Sequence, residues 1–142
     1  MNILAIPFHE HLGLELANAP GLLQLAPRPE HLNHLGTVHA SVLIALAEAS
    51  SGLLLQQELS DGTEQMGVTV LPVIRRIEAK FHQAANGILT TFHTMNLAEL
   101  DSVKISLASK GRAKVLVPIQ VRNVAEETLL SVGFEWFIRR QE

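Results

Sequence analysis

The sequence predicts an α+β fold in which one antiparallel sheet curls around a single long central helix. Three observations carry this. Residues 38–55 form a nearly continuous apolar run of helical length. The chain beyond it switches to period-two alternation, the mark of half-buried strands. A lone apolar helix needs a sheet to cover it.

The elements follow in order. Ile3 to His11 predicts a short helix that ends near Gly13. Leu14–Ala17 and Leu22–Ala26 read as two short strands, with Asn18-Ala19-Pro20-Gly21 as the turn between them. Pro27 and Pro29 open an irregular loop to about Gly36. Thr37 is the predicted N-cap of the long helix, which ends near Glu58 before Ser60-Asp61-Gly62.

Met66–Val70 and Val73–His82 predict one long strand, bent at Pro72. Its second part turns Ile77, Ala79 and Phe81 one way and Glu78, Lys80 and His82 the other. Asn86-Gly87 is a hairpin signal leading into a strand at Ile88–Asn96. Ala98 to Ser109 predicts a second helix, stopped by Lys110-Gly111. Ala113 to Arg122 alternates as a half-buried strand despite Pro118. Thr128–Arg139 is the last strand, with Leu130, Val132, Phe134, Trp136 and Ile138 on one face.

With 142 residues the chain fits one domain, 1–142, and buries a real core. A net charge of −3 gives no electrostatic case for nucleic acid or an anionic membrane. The absence of cysteine excludes disulfides and thiolate metal sites. The N-terminus lacks the basic region of a signal peptide, so the expected location is cytoplasmic. The apolar run holds His39, Ser41, Glu48, Ser50, Ser51 and Gly52, which favours a core helix over a membrane span.

Within that helix stands one carboxylate, Glu48. An ionised carboxylate out of water shifts its pKa or takes a partner. At 100° per residue, Ser41, Ile44, Ala45, Ser51, Gly52 and Leu55 fall within about 60° of Glu48. Leu43, Leu46, Leu53 and His39 fall on the far side, so the bulky leucines face the sheet. The small residues beside Glu48 leave room for a ligand or a second subunit. A mid-helix glutamate among alanine and serine equally fits a side chain that reaches solvent or pairs with Arg75 or Arg76. His39 cannot meet Glu48 within one helix and reads as a core or capping histidine. The first-turn amides, including that of Ala40, lack intrahelical acceptors and suit an oxyanion.

Residues 33–52 resemble the signature loop and helix of hotdog-fold acyl-CoA thioesterases of the phenylacetate-degradation type. The shared features are Asn33, Gly36, His39-Ala40-Ser41 and Glu48, with 48 − 39 = 9 and 48 − 33 = 15. Phe81-His82-Gln83-Ala84-Ala85-Asn86-Gly87 resembles the family's turn between two long strands. The family commonly has His-Gly-Gly where this chain has His39-Ala40-Ser41, and Asp where it has Glu48.

The resemblance implies a hotdog fold and hydrolysis of an acyl- or aryl-acyl-CoA. Glu48 would act as general base or nucleophile, with Asn33 holding water or substrate. The Ala40 N–H would polarise the carbonyl, inside a signature that includes Gly36 and His39. Ser41, Ala45, Ser51 and Gly52 would line the acyl chain. It further implies a dimer or tetramer with sites at the subunit interface. No cofactor is called for, because CoA belongs to the substrate.

Two other readings stay open. One is a hotdog protein that binds acyl-CoA without hydrolysing it. The other is a hydratase or dehydratase using His34 and Glu48, 14 residues apart. The histidine groups His9-Glu10-His11 and His31, His34, His39 match no metal-ligand spacing. Arg75, Arg76, Lys80, Lys104, Lys110, Arg112 and Lys114 are the basic side chains available to CoA phosphates.

Overall fold

The computed structural model describes residues 1–65, 67 and 69–141. In chain order they form α1 (Pro7–Leu12), β1 (Glu15–Leu16), β2 (Leu23–Leu25), α2 (Ala40–Gln65), β3 (Val70–Phe81), β4 (Leu89–His93), α3 (Glu99–Lys110), β5 (Arg112–Arg122) and β6 (Thr128–Arg140). The strands make one sheet in the order β1-β2-β4-β5-β6-β3, every neighbour antiparallel. α2 lies against β2, β4, β5 and β6. This is the α+β architecture that the apolar helix and the alternating strands predict.

The packing follows the patterns that formed the elements. Leu43, Leu46 and Leu53 of α2 are buried, as the helical wheel requires. They meet a sheet whose inward residues, among them Val117, Ile119, Leu130, Phe134 and Ile138, are also buried. Each such side chain contributes about 1.5–3 kcal/mol by leaving water. Ser50 lies in this core and is satisfied. Its hydroxyl donates to the Leu46 carbonyl at 2.7 Å and sits 2.6 Å from the Thr91 hydroxyl of β4. α2 is long and apolar enough to cross a membrane, and just over half of that apolar stretch is buried within the protein (56%).

Several boundaries differ from the sequence reading. The N-terminal helix is split into a 3₁₀ turn at Ile3–Ala5 and α1, with Gly13 closing α1 in the left-handed conformation. The cap of α2 is His39, not Thr37. His39 Nδ1 accepts the Ser41 N–H at 3.0 Å, while the Thr37 hydroxyl is held by Asn33. α2 continues past Glu58 to Gln65, because Ser, Asp and Gly each cost a helix no more than about 1 kcal/mol relative to Ala. β3 keeps its pairing through Pro72, opposite Ile138, and its ladder irregularity falls between Ile74 and Arg76. β3 starts at Val70, and Met66 and Val68 of the predicted Met66–Val70 stretch lie outside the described residues.

Asn86-Gly87 is not a hairpin turn. β3 pairs with β6 from Val70↔Arg140 to Phe81↔Leu130, skipping Arg75, and not with β4. The segment after β3 therefore crosses from the sheet edge to β4 in its interior. Gly87 still serves as a turn residue, at φ +70°. The crossover leaves β3 as a long edge strand. Leu71, Val73, Ile77 and Phe81 on it are each 40–47% exposed.

Candidate active site

A cavity of about 800 Å³ opens between α2, the N-terminal segment, β3 and β6. Most of its wall is apolar, including Ile3, Leu55, Val73, Ile74 and Trp136. Glu48 lies in that wall, with Gly52 one helical turn beyond it. The glutamate side chain keeps 33% exposure. Burial pushes its pKa above the usual carboxylate value, and the neighbouring His9 partly offsets this.

The partner of Glu48 is neither Arg75 nor Arg76. The Arg75 guanidinium stacks over the Phe137 ring at 4.2 Å, and Arg76 pairs with Glu78 at 3.5 Å. Instead, His9 Nε2 lies 3.7 Å from Glu48 Oε2. His9 was grouped in the sequence with Glu10 and His11, yet it is only 5% exposed. A clue was present: His9 sits between Ile6 and Leu12, at spacings that put the three on one face of a helix.

The signature residues gather at the other end of α2. Asn33 is spent on its own loop. Its side-chain oxygen Oδ1 accepts the Leu35 and Thr37 N–H groups at 2.9 and 3.2 Å, and its side-chain amide Nδ2 donates to the Thr37 hydroxyl at 2.9 Å. Gly36 turns this loop at φ +75°. His39 caps the helix and is exposed. The Ala40 N–H, first of the helix, has no acceptor among the described residues. Eight residues at 1.5 Å rise separate Ala40 from Glu48, so about 12 Å of helix lies between them in one protomer.

The predicted acyl-lining residues divide. Gly52 lines the cavity. Ser41 is exposed in the first turn, and Ala45 packs against the core. Neither borders the cavity, which extends from Glu48 toward the C-terminal end of α2. Ser51 is fully buried and bound to Trp136 and to the Glu48 carbonyl. The wheel gave azimuth, and the cavity also depends on height along the axis.

The histidines disperse. His31 is buried and accepts the Arg28 N–H at 3.0 Å. Burial and the Arg28 charge hold it below the ordinary histidine value. His34 is exposed on the loop. Among the described residues, no group of three His, Cys, Asp or Glu side chains could hold a metal ion.

A family model described as a domain of unknown function, DUF4442, matches residues 14–138. The chain belongs to the DUF4442 family. No curated protein matches it. Solved structures do. A Pseudomonas aeruginosa protein of unknown function, described as a probable thioesterase, superposes with a TM-score of 0.81 at 18% identity, over 98% of this chain and 91% of that one. A Shewanella oneidensis protein provisionally named a thioesterase gives 0.74 at 12%, over 94% and 88%. A Bacillus halodurans protein solved with CoA gives 0.65 at 16%, over 89% and 72%. At these identities the likeness establishes the fold, and this DUF4442 chain has the hotdog fold.

Proposed function

We propose that this DUF4442 protein hydrolyses the thioester of an acyl-CoA, with Glu48 as the catalytic carboxylate. The observation that carries the reading is a carboxylate of raised pKa in the wall of a largely apolar cavity of about 800 Å³. That volume suits an acyl group, which buries apolar surface while a few polar groups fix the reacting atoms. The Bacillus halodurans structure with CoA supports CoA as the carrier.

Glu48 removes a proton from water as the water oxygen bonds to the thioester carbon. The carbonyl oxygen gains negative charge and takes a backbone N–H, that of Ala40, which has no acceptor among the described residues. The carbon–sulfur bond then breaks, and the thiol leaves with the proton Glu48 had accepted. Direct attack by Glu48, through an anhydride that water later opens, uses the same groups.

Ala40 and Glu48 of one protomer are too far apart to act on one carbonyl. The reading therefore joins Glu48 of one protomer to the Ala40 N–H of another. The exposed apolar edge of β3 supports such an assembly, since a long unpaired edge favours pairing with a second copy.

A thiol-release assay over short, long and aromatic acyl-CoAs tests the proposal. Hydrolysis of at least one class, lost in a folded Glu48→Ala variant, is the expected result. Binding of acyl-CoA without turnover across the panel overturns it in favour of a binding protein.

A further inference from the structure

Among the described cavity-lining residues, His9 is the ionisable side chain that the scheme above does not use. It is buried, and both ring nitrogens have defined neighbours. Nδ1 lies 2.7 Å from the Ile3 carbonyl oxygen, which only accepts, so Nδ1 carries a hydrogen. Nε2 then points at Glu48 Oε2 across 3.7 Å, a charge-pair distance longer than a hydrogen bond. A neutral ring in this tautomer turns a bare lone pair toward the carboxylate. The contact is attractive only when a proton resides on one of the two groups.

The ring is held there by more than its own bond. Pro7 starts α1 at a position where its missing N–H costs nothing, and Gly13 ends it. Arg28 donates to the His11 carbonyl and pairs with Glu30 at 3.2 Å, tying α1 to the loop that precedes α2. The helix that carries His9 is thereby fastened to the segment that leads into the helix carrying Glu48.

We infer that His9 is a positioning residue for Glu48, its ring holding the carboxylate in place and ionised inside the cavity. The consequence for turnover rests on the thioesterase reading, whereas the pairing itself does not. Few other charges face Glu48. Among the described cavity-lining residues, α2 offers Glu48 alone, α1 offers His9, and the N-terminal segment offers the Met1 amine. β3 and β6 present uncharged side chains there. Burial works against the carboxylate charge and His9 works for it.

Two variants separate the roles. His9→Asn keeps an amide N–H near the Nδ1 position and deletes Nε2. His9→Gln places a neutral donor near Nε2. The ¹³C signal of the Glu48 side-chain carboxyl, identified by its loss in Glu48→Gln, is followed against pH by NMR. In His9→Asn its midpoint moves to higher pH, and the acid limb of kcat moves with it. kcat below neutrality falls on the order of tenfold, while KM changes less than about twofold. His9→Gln gives a smaller movement in the same direction.

An unchanged midpoint in His9→Asn overturns the inference. If His9→Asn does not fold, the His9→Gln midpoint decides in the same way. If the carboxyl responds while no acyl-CoA is hydrolysed, the thioesterase reading falls and the pair stands. If turnover is normal and the carboxyl does not respond, the pair falls and the thioesterase reading stands.

Discussion

The Trp136 indole N–H donates to the Ser51 hydroxyl at 3.0 Å. That hydroxyl donates in turn to the Glu48 carbonyl at 2.7 Å. A wall of the cavity, on β6, is thus fixed to the turn of α2 that carries the carboxylate. Ser51 was expected beside the acyl chain, and it supports the chamber from behind.

Ser51→Ala leaves the indole N–H buried without an acceptor. The cost of an unsatisfied buried donor is about 1–3 kcal/mol. Urea unfolding of Ser51→Ala shows a loss in that range with an unchanged m-value. A loss below about 0.5 kcal/mol would mean that the indole finds another acceptor.

The parts of this fold that were legible in the sequence are those set by short-range periodicity. The α2 run announced its leucine face, and β6 announced both of its faces, because burial repeats at the period of each element. Partner choice between strands was not legible. Asn86-Gly87 favours a turn locally, but the β3–β6 ladder spans almost the whole of both strands and decides the topology. The site divided along the same line. Glu48 stands out in its own helix. His9 reaches it across 39 residues of chain (48 − 9 = 39), through a contact that no local pattern encodes.

Gly52 offers a direct test of where the proposed acyl group would lie. A Cβ there would meet Ile3 and Trp136 at 3.5 Å and 3.8 Å, ordinary contacts, with the cavity beyond. Gly52→Leu therefore fills space without a backbone clash. It also replaces a poor helix former, worth up to about 1 kcal/mol. Hydrolysis of long acyl-CoAs falls at least about tenfold relative to short ones, while thermal stability does not drop. Equal losses on all chain lengths would place the acyl group elsewhere.

Glu48 links stability to pH with a definite sign. Its pKa in the folded protein is raised above the ordinary value by burial. A raised carboxyl favours the folded state when protonated. Its penalty is absent below the ordinary carboxylate value and complete once pH has risen through the folded value. Glu48→Gln therefore melts higher than the unaltered protein at neutral pH, by about 1–3 °C given the partial exposure of the group. The gap closes as pH falls into the carboxylate range. Paired melts at pH 7.5 and pH 4 measure it, and an equal gap at both would show that ionisation of Glu48 is not its source.

Ala40→Pro isolates the proposed oxyanion donor. Ala40 is the first residue of α2, directly after the His39 cap. Proline is well tolerated at this position, because the N–H it lacks has no helical acceptor. The variant should fold as well as its parent and lose about 10²–10³ in kcat. If the site is shared between protomers, Glu48→Ala and Ala40→Pro chains are each inactive alone and complement one another. In a two-fold dimer each mixed pair rebuilds one site with Glu48 from one chain and the Ala40 amide from the other. Random pairing makes about half the dimers mixed, each with one intact site of two, so co-expression recovers about a quarter of full activity. No recovery from a mixture shown to contain heterodimers would confine the chemistry to a single protomer.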